Sequence, residues 1–486
     1  MTDYEPLDLA SWCNAAATIL DTQHSPACGR QTFHGLPFQI GRPDSAGDAA
    51  CFVAFGPGGY VAPLRIPVGR SARRLIVAHR LLESTVYEGG PLGQLVAEYV
   101  VLLANGERLP SPIRERFEIL ALPIPWGGHA FDAIGDQPDA LLPRESGPWG
   151  QAGTRQTEVR QAHPQDYILW TWVNPQPEQP IEALEIIPRG PRFIVAAVTI
   201  GQLDEHPFNR AGARPVKITL PQPDDAAQPF ALSVAVDRGA ATYPYALPSA
   251  PADDFLADVF AGFGEAQNRT SNPAYVEITA TPSATMTVRQ GDEVLGQARW
   301  GELEELGAVA PTPRLRLELI DPGRNWVYTT VIDDETGQPV PCRVHFRSPD
   351  GVPYQPHGHH GHVNSNLDTW HIDVGGDLRL GQITYAYIDG ACQGWLPRGE
   401  VLVDVARGFE YTPLRTRVTI APGQQRLELR LRRFRNMAAE RWFSGDTHVH
   451  FLSTQGSHFE AQGEDLHVVN LLLSQWGSLF TNTEEF

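Results

Sequence analysis

Long apolar runs are missing from this chain: no stretch approaches the ~18 consecutive apolar residues of a membrane-spanning helix. The N-terminal residues Met1-Thr-Asp-Tyr-Glu-Pro6 carry neither the basic flank nor the apolar block of a secretory signal, so the expected location is cytoplasmic. Cysteine is scarce. The five present (Cys13, Cys28, Cys51, Cys342, Cys392) are odd in number, scattered and without CxxC spacing, which argues against a zinc knuckle or redox pair and predicts reduced, structural thiols. Positive charge is also in short supply: 38 Lys and Arg stand against 57 Asp and Glu, a formal −19. Such a field repels phosphate backbones and anionic headgroups, so neither nucleic acid nor a membrane surface is an expected partner. There is no Walker motif, GxGxxG, HExxH or GxSxG, which removes the usual entry points to nucleotide, Rossmann, zincin and α/β-hydrolase chemistry.

What is there is turn chemistry and β texture. Hydrophobic residues make up 42% and charged ones 20% of 486 positions, the composition of a globular protein long enough for about three domains. The 45 glycines and 42 prolines exceed ordinary usage and predict many short strands. The expected fold is mainly β: tandem antiparallel β-sandwiches, first galactose-binding-like or jelly-roll, then transthyretin- or carboxypeptidase-regulatory-like, followed by the start of an α/β barrel.

Along the chain, Leu9, Trp12, Cys13, Ala16, Ile19 and Leu20 recur at three- and four-residue spacing and predict an amphipathic helix within residues 1–27. A first sandwich is expected over 28–202, with strands at Leu75 to Ala78, Val96 to Leu103 ending in an Asn105-Gly106 hairpin turn, Tyr167 to Val173 and Phe193 to Ile200. A second β-rich block covers 203–322, with Val216 to Leu220, Ala231 to Val236, Tyr275 to Ala280 and the alternation Leu315, Leu317, Leu319. A small sandwich covers 323–435. There Val327 to Ile332, the turn Asp334 to Gly337 and Cys342 to Phe346 predict a hairpin, and the Arg/Leu alternation from Arg426 to Arg433 predicts a final edge strand.

The texture changes at residue 441. Arg441-Trp-Phe-Ser-Gly-Asp-Thr-His-Val-His-Phe451 predicts a strand that sets Asp446, His448 and His450 at alternate positions, hence on one face. Neutral imidazole nitrogens bind zinc, manganese or iron, and a neighbouring carboxylate either ligates or orients a ring. A polar stretch from Thr454 to Glu464 and the apolar run Val468-Val-Asn-Leu-Leu-Leu473 complete an expected β-α-β unit over 436–486. A full barrel takes about 250 residues, so the chain is expected to carry only its beginning.

Gly445-Asp-Thr-His-Val-His-Phe-Leu-Ser453, followed by Glu464-Asp-Leu-His-Val-Val-Asn-Leu-Leu-Leu-Ser-Gln-Trp-Gly-Ser-Leu-Phe-Thr-Asn482, resembles the opening of the metallohydrolase domain of the CehA/McbA (carbaryl-hydrolase-like) family of the PHP superfamily of distorted (β/α)7 barrels. The preceding block is similar to the β-domain found before it there, in Thr336-Gly-Gln-Pro-Val-Pro-Cys-Arg-Val-His-Phe346, Tyr385-Ala-Tyr-Ile-Asp-Gly390 and Arg407-Gly-Phe-Glu-Tyr-Thr-Pro413. The resemblance covers roughly residues 324 to 486. It implies a centre of one to three divalent metal ions in which His448 and His450 match the ligands of the first motif and Asp446 is an auxiliary ligand. It also implies a metal-activated water attacking a small-molecule phosphoester, carbamate or amide ester. The sequence departs from many PHP members in carrying Ser474-Gln475-Trp476 where they have an Asp-His pair, and the motifs supplying the later ligands are expected past Phe486.

Other features compete. Pro356-His-Gly-His-His-Gly-His362, with His371, is a histidine cluster able to bind a divalent ion. Trp126, Trp149, Trp170 and Trp172 are either buried core or an aromatic platform for sugar rings. Two alternatives to the hydrolase follow: a non-catalytic carbohydrate- or protein-binding multi-sandwich module, and a homo-oligomer in which apolar runs such as Val468–Leu473 cover one another.

Overall fold

The computed structural model describes residues 3–42, 49–124, 128–138, 140–141, 159–160, 163–208, 212–227, 232–248, 250–262, 272–359, 377–380, 383–450, 452, 454–472, 474–475 and 479–480. Alternation bounded by Gly, Pro and Asn-Gly turns makes these residues mainly β, in many antiparallel sheets. They group into two compact units, Met1–Leu141 with Val159–Ala211 and Asp237–Gly239, and Gly212–Val236 with Ala240–Phe486. No described helix is long and apolar enough to cross a membrane.

In the first unit, Leu95–Leu103 turns back through Asn105-Gly106 into Arg108–Arg114, as its turn chemistry demands. That hairpin joins Leu64–Ser71 and Pro180–Pro188 in a four-stranded sheet. A larger sheet runs Ala133–Gly135, Ile168–Val173, Arg74–Leu81, Phe193–Gly201, Ala50–Phe55. One core lies between the sheets, with Val77, Tyr99, Ile181 and Val195, while a second, with Phe38, Phe52, Tyr167 and Ile194, covers the far face of the larger sheet. With apolar cover on both faces, Phe193–Gly201 is buried at every position, which its unbroken run FIVAAVTI anticipates.

The expected N-terminal helix is replaced by a strand, Tyr4–Leu7, a two-residue strand at Ala15–Ala16 and a 3-10 turn, Ala17–Leu20. A helix stripe buries its apolar residues on a single face, but here Leu9 enters the core between the sheets and Leu20 the core beyond them. Asn14 fixes the extended path: its side-chain oxygen accepts the Ala54 N–H at 2.7 Å and its amide donates to the Ala54 carbonyl at 3.1 Å. Tertiary pairing overrides the local period.

Trp170 and Trp172 are buried in the inter-sheet core, so they offer no platform to a sugar. Trp126 and Trp149 lie outside the described residues. Trp170 stacks over His79 at 6.5 Å. The fully buried His79 ring donates from Nε2 to the Glu118 carbonyl (2.8 Å) and accepts the Tyr99 hydroxyl at Nδ1 (2.9 Å), an arrangement suited to the neutral form. Burial pushes its pKa down from 6.5 to about 4. The unfolded chain therefore binds the extra proton first as pH falls, and stability present above about 6.5 is lost toward 4, by roughly 3 kcal/mol for this ring. Urea unfolding of the first unit is expected to show this acid slope, and His79→Gln is expected to reduce it. An unchanged slope in His79→Gln would exclude His79 as its source.

In the second unit, Ala274–Ala280, Arg214–Thr219, Leu315–Leu319 and Ala308–Thr312 form one sheet, facing Leu232–Val236, Thr285–Gln290 and Glu293–Arg299 across a core containing Val276, Met286 and Trp300. A second pair of sheets follows. One holds Ala391–Pro397, Arg324–Asp333, Arg426–Arg433 and Tyr411–Thr412, the other Ile383–Ile388, Cys342–Arg347, Gly399–Ala406 and Leu414–Ile420. Their core includes Val331, Phe346 and Val403 together with Tyr245, Leu247 and Tyr275 from the preceding block.

One expectation for this sandwich is corrected. The Asp334–Gly337 turn forms, with Asp333 Oδ1 accepting the N–H groups of Glu335 (2.9 Å) and Thr336 (2.8 Å), but the flanking strands join opposite sheets instead of pairing as a hairpin. Pro339 and Pro341 have no N–H to give a ladder, so the link crosses between layers after a single bridge, Ile332 to Pro339. Arg426–Arg433 runs parallel to Arg324–Asp333 on one side, and on the other only its last two residues pair, with Tyr411–Thr412, so among the described residues most of its length is the expected edge. Its alternation is real, with Leu429 and Leu431 buried and Arg430 and Arg432 in solvent.

Candidate metal centre

The segment after residue 441 folds as a β-α-β unit. Gly445–Val449 and Val468–Leu471 are parallel neighbours, joined by the helix Thr454–Gly463. Thr447 and Asn470 knit the two strands further, the Asn470 amide donating to the Thr447 carbonyl at 3.0 Å. On the outer strand Val468 remains 63% exposed.

Charge fastens this unit to the preceding sandwich. The helix gives way after Gly463 to a turn at Glu464 and Asp465, and Asp465 adopts a left-handed φ of 54°, a conformation acidic residues tolerate just past a helix terminus. The Glu464 carboxylate pairs with Arg343 and accepts the Tyr387 hydroxyl at 2.7 Å. Asp465 takes Arg407 at 2.5 Å and Arg433 at 2.8 Å on its two oxygens, while Arg433 also holds Glu410 at 2.6 Å. These pairs are largely shielded from solvent, so they resist screening better than exposed ones. Gly463 completes the seat, because a Cβ there would stand 2.5 Å from the Tyr387 ring. The anchored loop fixes the start of the first strand in turn, with the Ser444 hydroxyl donating to the Asp465 carbonyl at 2.8 Å.

At the end of that strand two of the three alternate positions meet. The imidazoles of His448 and His450 converge, Nε2 to Nε2, at 2.7 Å, with ring centroids 4.6 Å apart. Asp446 is directed differently: its Oδ1 accepts the backbone N–H of His448 at 3.0 Å and thereby fixes the main chain that presents the ring. Asp446 and His448 are exposed and His450 is half-buried. Among the described residues, no group of three or more His, Cys, Asp or Glu gathers as a ligand set. The structure therefore unites two of the three expected residues and gives the third a backbone partner.

To share a divalent ion the pair would have to open. Two bonds of 2.0–2.1 Å at the tetrahedral angle need nitrogens about 3.3 Å apart, a modest opening of the observed pair. His357 and His359 of the histidine-rich loop are described and belong to a different region, near Trp326. His360, His362 and His371 lie outside the described residues. The docking residues Arg343, Arg407, Arg433, Glu464 and Asp465 were not singled out by sequence reasoning. Their only signal is that basic and acidic residues recur inside the blocks that carry the family resemblance.

No protein-family model, curated protein or solved structure matches the chain.

Proposed function

We propose that this chain carries the opening metal-ligand strand of a divalent-metal hydrolase of the CehA/McbA type, acting on a small-molecule ester, carbamate or phosphoester. The observation that carries the reading is the convergence of His448 Nε2 and His450 Nε2 at the end of the first strand of a parallel β-α-β unit. A zinc, manganese or iron ion held there would supply Lewis acidity and make water acidic enough to react near neutral pH. The chain's own contribution is positional: His448 and His450 hold the ion, Asp446 sets the backbone at His448, and the Glu464 and Asp465 pairs keep the strand seated. Two imidazoles fall short of the usual three protein ligands of a catalytic zinc, so the reading requires ligands beyond this pair. We also propose a cytoplasmic location, a reading that the five free thiols support.

The test is metal removal from the complete native gene product. Its hydrolysis of an aryl phosphate and an aryl N-methylcarbamate is followed before chelation, after exhaustive chelation, and after return of zinc, manganese or ferrous iron. Activity on either substrate that vanishes with chelation and returns with metal supports the hydrolase. Activity indifferent to the chelator, or inactivity of the metal-loaded protein on both, overturns it and moves the binding-module reading ahead.

A further inference from the structure

A cavity of about 300 Å³ opens in the second unit among Ala274–Ala280, Arg324–Asp333, Ala391–Pro397 and the segment 353–359. Trp326 and Trp395 are direct cross-strand partners and meet edge to face, their centroids 5.2 Å apart. His357 also packs edge-on against Trp326, at 5.5 Å. Trp395 remains 52% exposed, an unusual position for a large indole at the rim of a hollow.

The other walls are polar. Arg324 pairs with Asp321 and lies 3.5 Å from Glu277. Tyr354 is 5% exposed, and its hydroxyl has no hydrogen-bond partner among the described residues. Gln355 uses its amide nitrogen on the Thr384 carbonyl at 2.7 Å, yet its buried side-chain oxygen is equally without a partner among those residues. Arg324 Nη2 likewise makes no hydrogen bond among those residues. Buried polar atoms are nearly always satisfied, and three unsatisfied ones in the walls of one cavity mark a place where partners arrive from outside.

We propose that this cavity binds the ring of a neutral carbohydrate, with its C–H face on Trp395 and its hydroxyls on Tyr354 and Gln355. The charges select against the other small ligands. Arg324 faces two carboxylates, Asp321 and Glu277, so the wall holds no surplus positive charge for a phosphate or carboxylate, and burial pushes the Glu277 carboxyl up toward its neutral form, which leaves little net negative charge to hold an ammonium group. A sugar ring is uncharged, presents one apolar face and carries hydroxyls that both donate and accept, as a free tyrosine hydroxyl and a free amide oxygen require. The volume is at the small end for ligand pockets and suits a single ring better than a chain. The site is separate from the histidine pair and stands whether or not the hydrolase reading does.

The experiment is ligand-observed NMR followed by calorimetry on the full chain, using glucose, galactose, mannose, N-acetylglucosamine and their common disaccharides, with glucose 6-phosphate and choline as charged comparators. Saturable binding of at least one neutral sugar is expected. Trp395→Ala is expected to weaken it about tenfold or more, Trp395→Phe to restore part of it, and Tyr354→Phe to weaken it several-fold while leaving the melting temperature unchanged. Trp395 is half in solvent, so its variants are expected to fold. Absence of saturable binding by every neutral sugar, affinity unaffected by Trp395→Ala, or tighter binding of glucose 6-phosphate or choline would each overturn the proposal.

Discussion

Replacing Asp404 with alanine is expected to destabilise the second unit by about 3–5 kcal/mol, the usual consequence of removing one partner from a buried ion pair. Asp404 is 3% exposed and accepts Arg415 Nε at 2.7 Å, a second Arg415 nitrogen, and the Tyr385 hydroxyl at 3.0 Å. Two guanidiniums depend on that single carboxylate. Arg415 lies 3.9 Å and Arg347 3.4 Å from the centre of the Phe255 ring, so one aromatic face system serves two cations. Burial, followed by repulsion from Arg415, already pushes Arg347 down to about 10, and Asp404 opposes that shift. Without the carboxylate both cations stay buried and repel one another. The damage extends outward, because Arg415 donates to the carbonyls of Phe255, Asp258 and Ala261 and so ties down the helix Ala252–Ala257 and the turn after it. Urea unfolding is the measurement. Tyr385→Phe, which deletes one hydrogen bond, should cost about 1 kcal/mol in the same assay, and a loss below that for Asp404→Ala would show that the network is not what holds the sandwich.

Removing both imidazoles, with His448→Ala and His450→Ala together, is expected to lower the affinity of the complete native gene product for zinc or manganese by about 100-fold or more, since loss of a supporting residue alone typically costs 10–100-fold. Competition against a chromophoric chelator reads this directly and does not depend on knowing the substrate. Each single variant should lose most of the effect, because one imidazole cannot reproduce a chelating pair. Asp446→Ala should fall less, by about tenfold, because its carboxylate holds the His448 amide instead of meeting the rings. The strand should remain seated in all four variants, since its anchors are Arg343, Arg407 and Arg433. Undiminished affinity in the double variant would remove the histidine pair from any metal site.

What could be read from the residues was whatever depends on short range. The period of two located most strands, and the same period placed His448 and His450 side by side, because alternate positions on a strand share a face whatever the rest of the chain does. The errors arose where a residue's neighbour is remote. Leu9 and Leu20 fit a helix by spacing, yet they serve cores on opposite sides of one sheet, and nothing within twenty residues reveals that. Cys342–Arg347 follows its turn as a hairpin strand should, but its partners are Ile383–Ile388 and Gly399–Ala406. The Arg343–Glu464 pair spans 121 positions, and the Trp326–Trp395 contact exists only through a strand pairing that alternation cannot register.

Tyr245, Leu247 and Tyr275 belong by sequence to the block before residue 322, yet they sit in the same hydrophobic cluster as Val327, Phe346 and Val403. A core shared in this way makes its two layers thermodynamically inseparable: neither can open without wetting the apolar surface of the other. Heating should therefore carry both through one calorimetric transition, and a chain cut between 322 and 323 would yield two fragments each exposing apolar surface that the other had covered, prone to aggregate rather than to stand alone. For anyone dividing this protein for expression, the seam most visible in the sequence is the wrong place to cut.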